Sequence, residues 1–460
     1  MTGIGIDIGT RYARIARIGD RGVPELAELP GAVPGEGLPV PDAAGTGRED
    51  ALRAVYRAYR GRYGTPDDVV AVVGQRGRLE QARLVTAALT ESHGDGRAPR
   101  VRALSTPQAV LALLRAAGTA TRGRYVVCDL GAAAAEASVC VVTAGAVAVA
   151  ATARHAPADG YGAALDAALL AEAGLAADEE GRRALAAARA EEGAAQRLDL
   201  ALERAEDRPE RWDATAVHRV AGRDITAGTV RSALRRLTAG LDLALSEALG
   251  DGSSGGAAPP GGGHGDDPDG ALVAVGGTAR FAPLARHPAA AGWRLAPLPG
   301  GTDPSLAAVF GAALVAAGRI DPADRYPYAV CVGAQRTVAG RLKDQELVIS
   351  EAGHLEPGGD TVYAQRAGQR LRVAVGPAGA AVGRPVQVRV RDPERGVSAP
   401  VRTLALPVGT EDDRFHVGVR LAVDGTARLV LHPLDPGAPA EFPLGSLPSD
   451  LRTDPKGGPS

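Results

Sequence analysis

The sequence predicts a mixed α/β domain over residues 1–318 followed by an all-β, sandwich-like domain over 327–449. Three observations carry that prediction. Buried apolar runs alternate with helix-length amphipathic segments through the first 320 residues, as strands covered by helices do. Beyond about residue 325 the texture changes to short alternating runs between turn residues, with no helix-length pattern. Two apolar runs also end in the same corner, Asp7-Ile8-Gly9 and Asp129-Leu130-Gly131, and each passes directly into a second apolar run.

Taken in order, residues 1–18 read as strand, tight turn, strand ("GIGIDIG", then "YARIARI"), and the Pro/Gly-rich residues 19–48 as loop. Residues 49–64 place Leu52, Val55, Tyr56 and Tyr59 at helical spacing. "DVVAVVG" (68–74) is a buried strand, residues 76–93 a helix, and "RVRALST" (100–106) a strand. Pro107 opens a helix over 107–118, where its missing N–H does no harm. The Asp129 hairpin follows, with a third strand near 145–153 and helix through most of 162–206. Thr226 is expected to cap a helix whose stripe is Val230, Leu234, Leu237, Leu241 and Leu245. Residues 250–270 form a low-complexity insert expected to be disordered, 271–277 a strand ending in Gly276-Gly277, and 305–320 an apolar helix. A linker is expected at 319–326, a hairpin turn at Asp424-Gly425, and a flexible tail at 450–460.

Composition narrows the function classes. A formal net charge of −2 predicts no general affinity for nucleic acid or anionic membranes. The N-terminus has no basic region followed by an apolar stretch, and no segment approaches ~20 consecutive apolar residues, so a soluble cytoplasmic protein is expected. The three cysteines lack metal-binding spacing, and Cys128 and Cys140 read as core residues. The eight histidines, scattered through polar stretches, read as surface residues.

"GIDIGTRYARIAR" resembles the first phosphate motif of the DnaK-type heat-shock chaperones of the actin-like ATPase superfamily, and "VVCDLGAAAAEASV" their second, usually Asp-Leu-Gly-Gly-Gly-Thr-x-Asp. "RVRALSTPQAVLALL" resembles the segment crossing between the lobes and "ADGYGAALD" the glycine turn that follows. "VAVGGTARFAPL" is similar to the adenosine motif, and "DPSLAAVFGAA" to the closing helix. The order of these motifs is the family's own. The resemblance implies a two-lobed, ribonuclease H-like ATPase domain with a substrate-binding β domain behind it. It implies ATP or ADP bound with Mg²⁺ between two hairpins, whose backbone amides cradle phosphate while carboxylates hold the metal through water.

By that resemblance Asp7 and Asp129 are the metal carboxylates, with Glu136 a weaker third. Gly9, Thr10, Arg11 and Gly131 shape the phosphate turns, Gly162 approaches from the opposite lobe, Gly276 and Gly277 border the adenosine, and Arg280 lies against the base. Taken singly, Asp7 and Asp129 also suit plain β-corners and Arg280 a surface arginine; two Asp-x-Gly corners after buried strands favour the nucleotide.

The chain departs from the family pattern in ways that bear on catalysis. Ala132 and Ala133 stand for glycines, Ala134 for a threonine, Glu136 for an aspartate, Arg11 for a hydroxyl residue, Thr106 for a glutamate near the attacking water, and Ser305 for an aspartate. Glu192 matches the ribose-gripping helix, but Ala195 and Gln196 stand for its lysine and arginine, and no lysine occurs before Lys343. Phosphoryl transfer without those groups loses much of its electrostatic stabilisation. The expected function is therefore a divergent molecular chaperone-type protein that binds nucleotide, hydrolyses it slowly if at all, and offers its β domain to a polypeptide client or protein partner. The alternative is a non-catalytic pseudo-ATPase serving as an interaction module. A sugar kinase of the same superfamily is disfavoured, because no acidic base in a sugar-binding lobe stands out.

Overall fold

The computed structural model describes residues 2–40, 47–75, 78–93, 98–120, 122–143, 146–158, 160–191, 193–249, 271–281, 284, 286–287, 293–322, 325–338, 340–357, 359–374, 385–393, 396–406, 414–422, 426–435, 437–448 and 451. The expected insert at 250–270, Glu192, the Asp424-Gly425 turn and all of the expected tail except Leu451 lie outside the described residues. The architecture is mixed α/β and divides into two compact units, Met1–Cys140 with Ala151–Pro322, and Val141–Ala150 with Ala323–Ser460.

The first unit opens with β1 (Gly3–Ile8), β2 (Tyr12–Ile18) and two short strands, β3 (Pro24–Leu26) and β4 (Leu38–Pro39), both added to β2 from the stretch expected to be loop. Next come α1 (Gly47–Tyr63), β5 (Asp68–Val73), α2 (Arg78–Glu91), β6 (Arg100–Ser105) and α3 (Thr106–Ala116). Then follow β7 (Gly123–Leu130), β8 (Ala135–Val142), β9 (Val147–His155), α4 (Gly160–Glu172), α5 (Glu179–Ala190), α6 (Ala194–Asp207) and the one-turn α7 (Pro209–Trp212). A small hairpin, β10 (Ala216–Val220) and β11 (Arg223–Thr226), leads into α8 (Ala227–Leu249), β12 (Ala271–Val275), β13 (Arg294–Leu295) and α9 (Ala307–Ala316). Among the described residues no helix is long and apolar enough to cross a membrane.

One design occurs twice in this unit. The first sheet runs β3-β2-β1-β5-β6 and the second β9-β8-β7-β12-β13. With the two-residue β4 at the edge of β2 left aside, both run third, second, first, fourth, fifth in order of appearance. In each, the first two strands are joined by a tight turn, and the fourth and fifth lie parallel to the first. Parallel strands buried on both faces need apolar runs, and these supply them: Ile4 and Ile6, Val69 and Val70, Val126 and Val127, Leu272 and Val273 are essentially inaccessible.

Helices cover both faces of the first sheet. Leu52, Val55, Tyr56 and Tyr59 of α1 and Leu89 of α2 pack on Ile4, Ile6, Ile15 and Val69. On the other side α9 lies directly on β1, so close that a Cβ at Gly5 would meet the Val309 carbonyl oxygen at 2.5 Å. Thr226 caps α8 as expected, its hydroxyl accepting from the Thr229 amide at 3.3 Å, and all five stripe residues are buried. Cys128, Cys140 and Cys331 are buried and in no disulfide.

The second unit contains β14 (Ala329–Val338), β15 (Arg341–Ser350), four two-residue strands, β16 (Val362–Tyr363), β17 (Gln365–Arg366), β18 (Gln369–Arg370) and β19 (Val373–Ala374), and then β20 (Pro385–Arg391), β21 (Ser398–Ala405), β22 (Arg414–Leu421), β23 (Thr426–Pro433) and β24 (Ala440–Ser446). One sheet runs β15-β14-β20-β21 and a second β16-β22-β23-β24, with β19 also on β22. Val330, Ile349, Val388 and Val390 of the first meet Val419, Leu429, Leu431 and Leu444 of the second in one core. Tyr326, within the expected linker, is buried in that core and donates to the Pro448 carbonyl at 2.8 Å.

The expectation of surface histidines is corrected. Among the described histidines only His354 is exposed, and His218 on β10 is 4% exposed. Alternation in β10 turns that ring inward with Val220, whatever the polarity of its neighbours.

Candidate functional site

The two Asp-x-Gly corners adopt one geometry. The Gly9 amide donates to the Tyr12 carbonyl at 3.0 Å, and the Gly131 amide to the Ala134 carbonyl at 2.9 Å. Each turn thus closes over four residues, and the aspartate two positions earlier is the last but one residue of the strand beneath it. Asp7 pairs with Val72 of β5 and Asp129 with Val275 of β12, so each carboxylate sits at the C-terminal edge of a parallel pair. In open α/β sheets that edge is where ligands bind.

The two corners lie within electrostatic reach of one another. Burial and the charges of Glu136 and then Asp7 push the Asp129 carboxyl up to about 7, against the opposing pull of Arg14 and Arg154. Asp7 and Glu136 are therefore within electrostatic reach of Asp129. Gly276 closes one side, because a Cβ there would lie 2.6 Å from the Asp129 Oδ1 and 2.6 Å from the Leu130 carbonyl oxygen. Thr278, in the short 3₁₀ turn 277–280 that Gly277 opens, donates its hydroxyl to the same Leu130 carbonyl.

The start of α4 rests on the second turn. The Gly162 amide donates to the Ala132 carbonyl at 2.7 Å, and a Cβ on Gly162 would fall 2.8 Å from the Ala132 Cβ. From the first turn, Arg11 reaches across to donate to the Gly162 carbonyl at 3.3 Å and to pair with Asp166. The other oxygen of Asp166 lies 2.8 Å from the Arg189 guanidinium of α5, an ion pair without a hydrogen bond. Thr10 is exposed at the tip of the first turn.

Arg280 points into an ionic chain. Its Nε donates to Asp303 at 2.8 Å, its Nη2 to the Ser305 hydroxyl at 2.9 Å, and its Nη1 to Glu36. Glu36 also accepts from Arg14 at 3.5 Å, and Arg14 lies 3.7 Å from Asp7. The chain Asp7, Arg14, Glu36, Arg280, Asp303 alternates in sign and joins the first corner to the residues after β12. Asp303 is held below the usual carboxylate range: burial works against this, but the hydrogen bonds from Arg280 and the Ser305 amide outweigh it. Asp199 of α6 faces the same arginine, and burial raises it.

The structure thus brings Asp7, Asp129, Glu136 and Gly276 together, groups Arg11 with Gly162, and ties Arg280 to the first corner through Glu36. Gly9 and Gly131 hold their turns, and Gly277 has open space where a side chain would be. The sequence reading passed over Arg14, Glu36, Asp166, Arg189, Asp199 and Asp303. A signal for Arg14 was present, since a four-residue turn after Asp7 puts residue 14 opposite it.

All-oxygen donors suit a hard divalent cation. Among the described residues no three acidic, histidine or cysteine side chains close on one point, so a cation here would rest on Asp7 and Asp129 and complete its shell with water or phosphate. The close approach that Gly276 allows beside Asp129 keeps that carboxylate clear of a neighbouring side chain. On these observations the donor set fits Mg²⁺. No protein-family model matches the chain, and no curated protein matches it.

Proposed function

We propose that the first unit is a divergent, two-lobed nucleotide-binding domain of the actin-like ATPase kind, resembling the DnaK-type chaperones, and that it holds ATP or ADP with Mg²⁺ between its two hairpins. The observation that carries this reading is the repeated strand order with an Asp-x-Gly turn at the same place in each half, Asp7 within electrostatic reach of Asp129. Two such turns present amides and carboxylates to one space, as a bound polyphosphate and its metal require.

In this reading Asp7 and Asp129 hold the metal, which supplies neutralisation of phosphate charge when bound. Asp129 would be held ionised beside a bound cation, because a nearby positive charge favours the charged carboxylate. Gly276 keeps the Asp129 carboxylate accessible, and Arg280, fixed by Asp303, Ser305 and Glu36, forms a wall rather than a mobile contact. No residue is assigned as general base, since Thr106 is buried and carries no acid. The domain serves as a nucleotide-gated scaffold, slow in hydrolysis, with the β unit contacting a polypeptide client or protein partner in the cytoplasm.

A specific observation favours the second reading, a pseudo-ATPase acting through interactions alone. The Gly162 amide is already taken by Ala132, and Arg11 is already paired. Calorimetry of the full chain with Mg-ATP and Mg-ADP separates the two. The first reading expects binding that is lost in Asp7→Asn and Asp129→Asn; absence of heat and of any thermal shift at millimolar nucleotide leaves only the second.

A further inference from the structure

Arg11 occupies the point where both turns and the start of α4 converge. It rises from the first turn, its guanidinium contacts the Gly162 carbonyl and Asp166, and Gly162 is bonded to the second turn. The arginine side chain is 43% exposed, whereas that of Asp166 is 13% exposed. One partner can therefore swing, and the other is fixed.

Asp166 is ion-paired with two guanidiniums: Arg11 donates to Oδ2, and Arg189 lies 2.8 Å from Oδ1, which accepts no hydrogen bond among the described residues. A nearly buried carboxylate that loses its sole partner is left with an uncompensated charge, and such losses are costly. With Arg189 in place, Asp166 keeps a partner when Arg11 departs. Such an arrangement would let Arg11 pass to an anion at the convergence of the turns without stranding the Asp166 charge. A terminal phosphate offers planar arginine two oxygens at once, as a carboxylate does.

We propose that Arg11 is the residue by which this chain distinguishes a nucleoside triphosphate from a diphosphate. It exchanges Asp166 for the terminal phosphate, the Asp166–Arg189 pair stays behind, and the tether between the first turn and α4 is released. This rests on the nucleotide reading above and adds to it a discriminating group in a chain with no lysine before Lys343.

The test is calorimetry on the full chain with Mg-ATP and with Mg-ADP, for the wild type, Arg11→Ala, Arg11→Lys and Asp166→Asn, each first shown by thermal melting to be folded. Arg11→Ala is expected to weaken ATP about tenfold or more while leaving ADP within about twofold, since a hydrogen bond to a charged group is worth about that factor. Arg11→Lys recovers part of the ATP affinity. Asp166→Asn, which neutralises the competing anion, strengthens ATP severalfold over ADP. An unchanged ATP-to-ADP ratio in Arg11→Ala overturns the proposal and leaves the nucleotide reading standing. Tighter binding of both nucleotides by Arg11→Ala also overturns it, by making Arg11 a plug. No binding of either nucleotide by the wild type or any variant overturns the nucleotide reading together with this proposal.

Discussion

Gly276 is pressed against Asp129: its backbone, at φ +95°, leaves a Cβ only 2.6 Å from the carboxylate oxygen Oδ1. The same Cβ would meet the Leu130 carbonyl at 2.6 Å, and a backbone atom cannot step aside as a flexible side chain can. Gly276→Ala therefore combines left-handed strain with a clash, and the expected loss is about 3 kcal/mol. The denaturant midpoint of the first unit reports it. Loss below about 1 kcal/mol would show that the strand end relaxes.

Asp129 sets a pH dependence. Its carboxyl is raised to about 7 in the folded chain, chiefly by burial and Glu136, against an ordinary value near 3.8. Between those values the folded chain binds more protons than the unfolded, so this residue's contribution to stability falls as pH rises from about 4 to about 7. Asp129→Asn removes the decline. The variant is expected to melt higher than wild type at pH 8 and nearly with it at pH 4, and melting curves across that range decide.

His218 acts in the opposite sense. Burial, with Arg189 and Arg197 nearby, lowers it from 6.5 to about 4, and neither ring nitrogen finds a hydrogen-bond partner among the described residues. The unfolded chain takes up the proton first, so stability is complete above about 6.5 and lost as pH falls toward 4. His218→Leu is expected to keep or gain up to about 1 kcal/mol at pH 7, because no bond is broken and an unsatisfied group is removed. It also flattens the acid limb of the stability profile. Destabilisation at pH 7 by more than about 1 kcal/mol would mean the ring has a partner after all.

Two hairpins turn on alanine. Ala221, between β10 and β11, has φ +48°, and Ala367, between β17 and β18, has φ +50°, each followed by a glycine at positive φ. Both are two-residue loops of the kind that favours Asn-Gly. Ala221→Asn and Ala367→Asn are expected to stabilise by about 0.5–1 kcal/mol each, because asparagine tolerates the left-handed region better. Chemical denaturation of each variant measures the gain.

Those same turns explain part of what the sequence concealed. Strands such as β5, and β7 through Cys128, were legible because burial on both faces demands apolar runs, and the α1 and α8 stripes because one face must meet a core. The β10–β11 hairpin was not, since Ala-Gly carries a much weaker turn signal than Asn-Gly. In the site, Asp7 and Asp129 stood out because a charge ending a buried strand breaks a pattern. Glu36 and Asp303 did not, since each lies in a Pro/Gly-rich stretch, where no periodicity fixes a direction. Their meeting with Arg280 spans 244 and 23 residues, and only the folded chain brings such distant charges together.

The three thiols give the molecule a built-in record of its own openings. Cys128 lies next to Asp129 in the central strand of one sheet, Cys140 in the strand beside it, and Cys331 in β14 between the core residues Val330 and Val332, all with no exposed surface. A thiol reagent in water cannot reach them while the sheets are closed. Burial also keeps Cys128 and Cys331 protonated and inert. The rate at which each sulfur is alkylated is thus a clock for the separation of its own sheet. Cys128 counts openings beside the site and Cys331 counts those of the β unit, in the native chain with no label added.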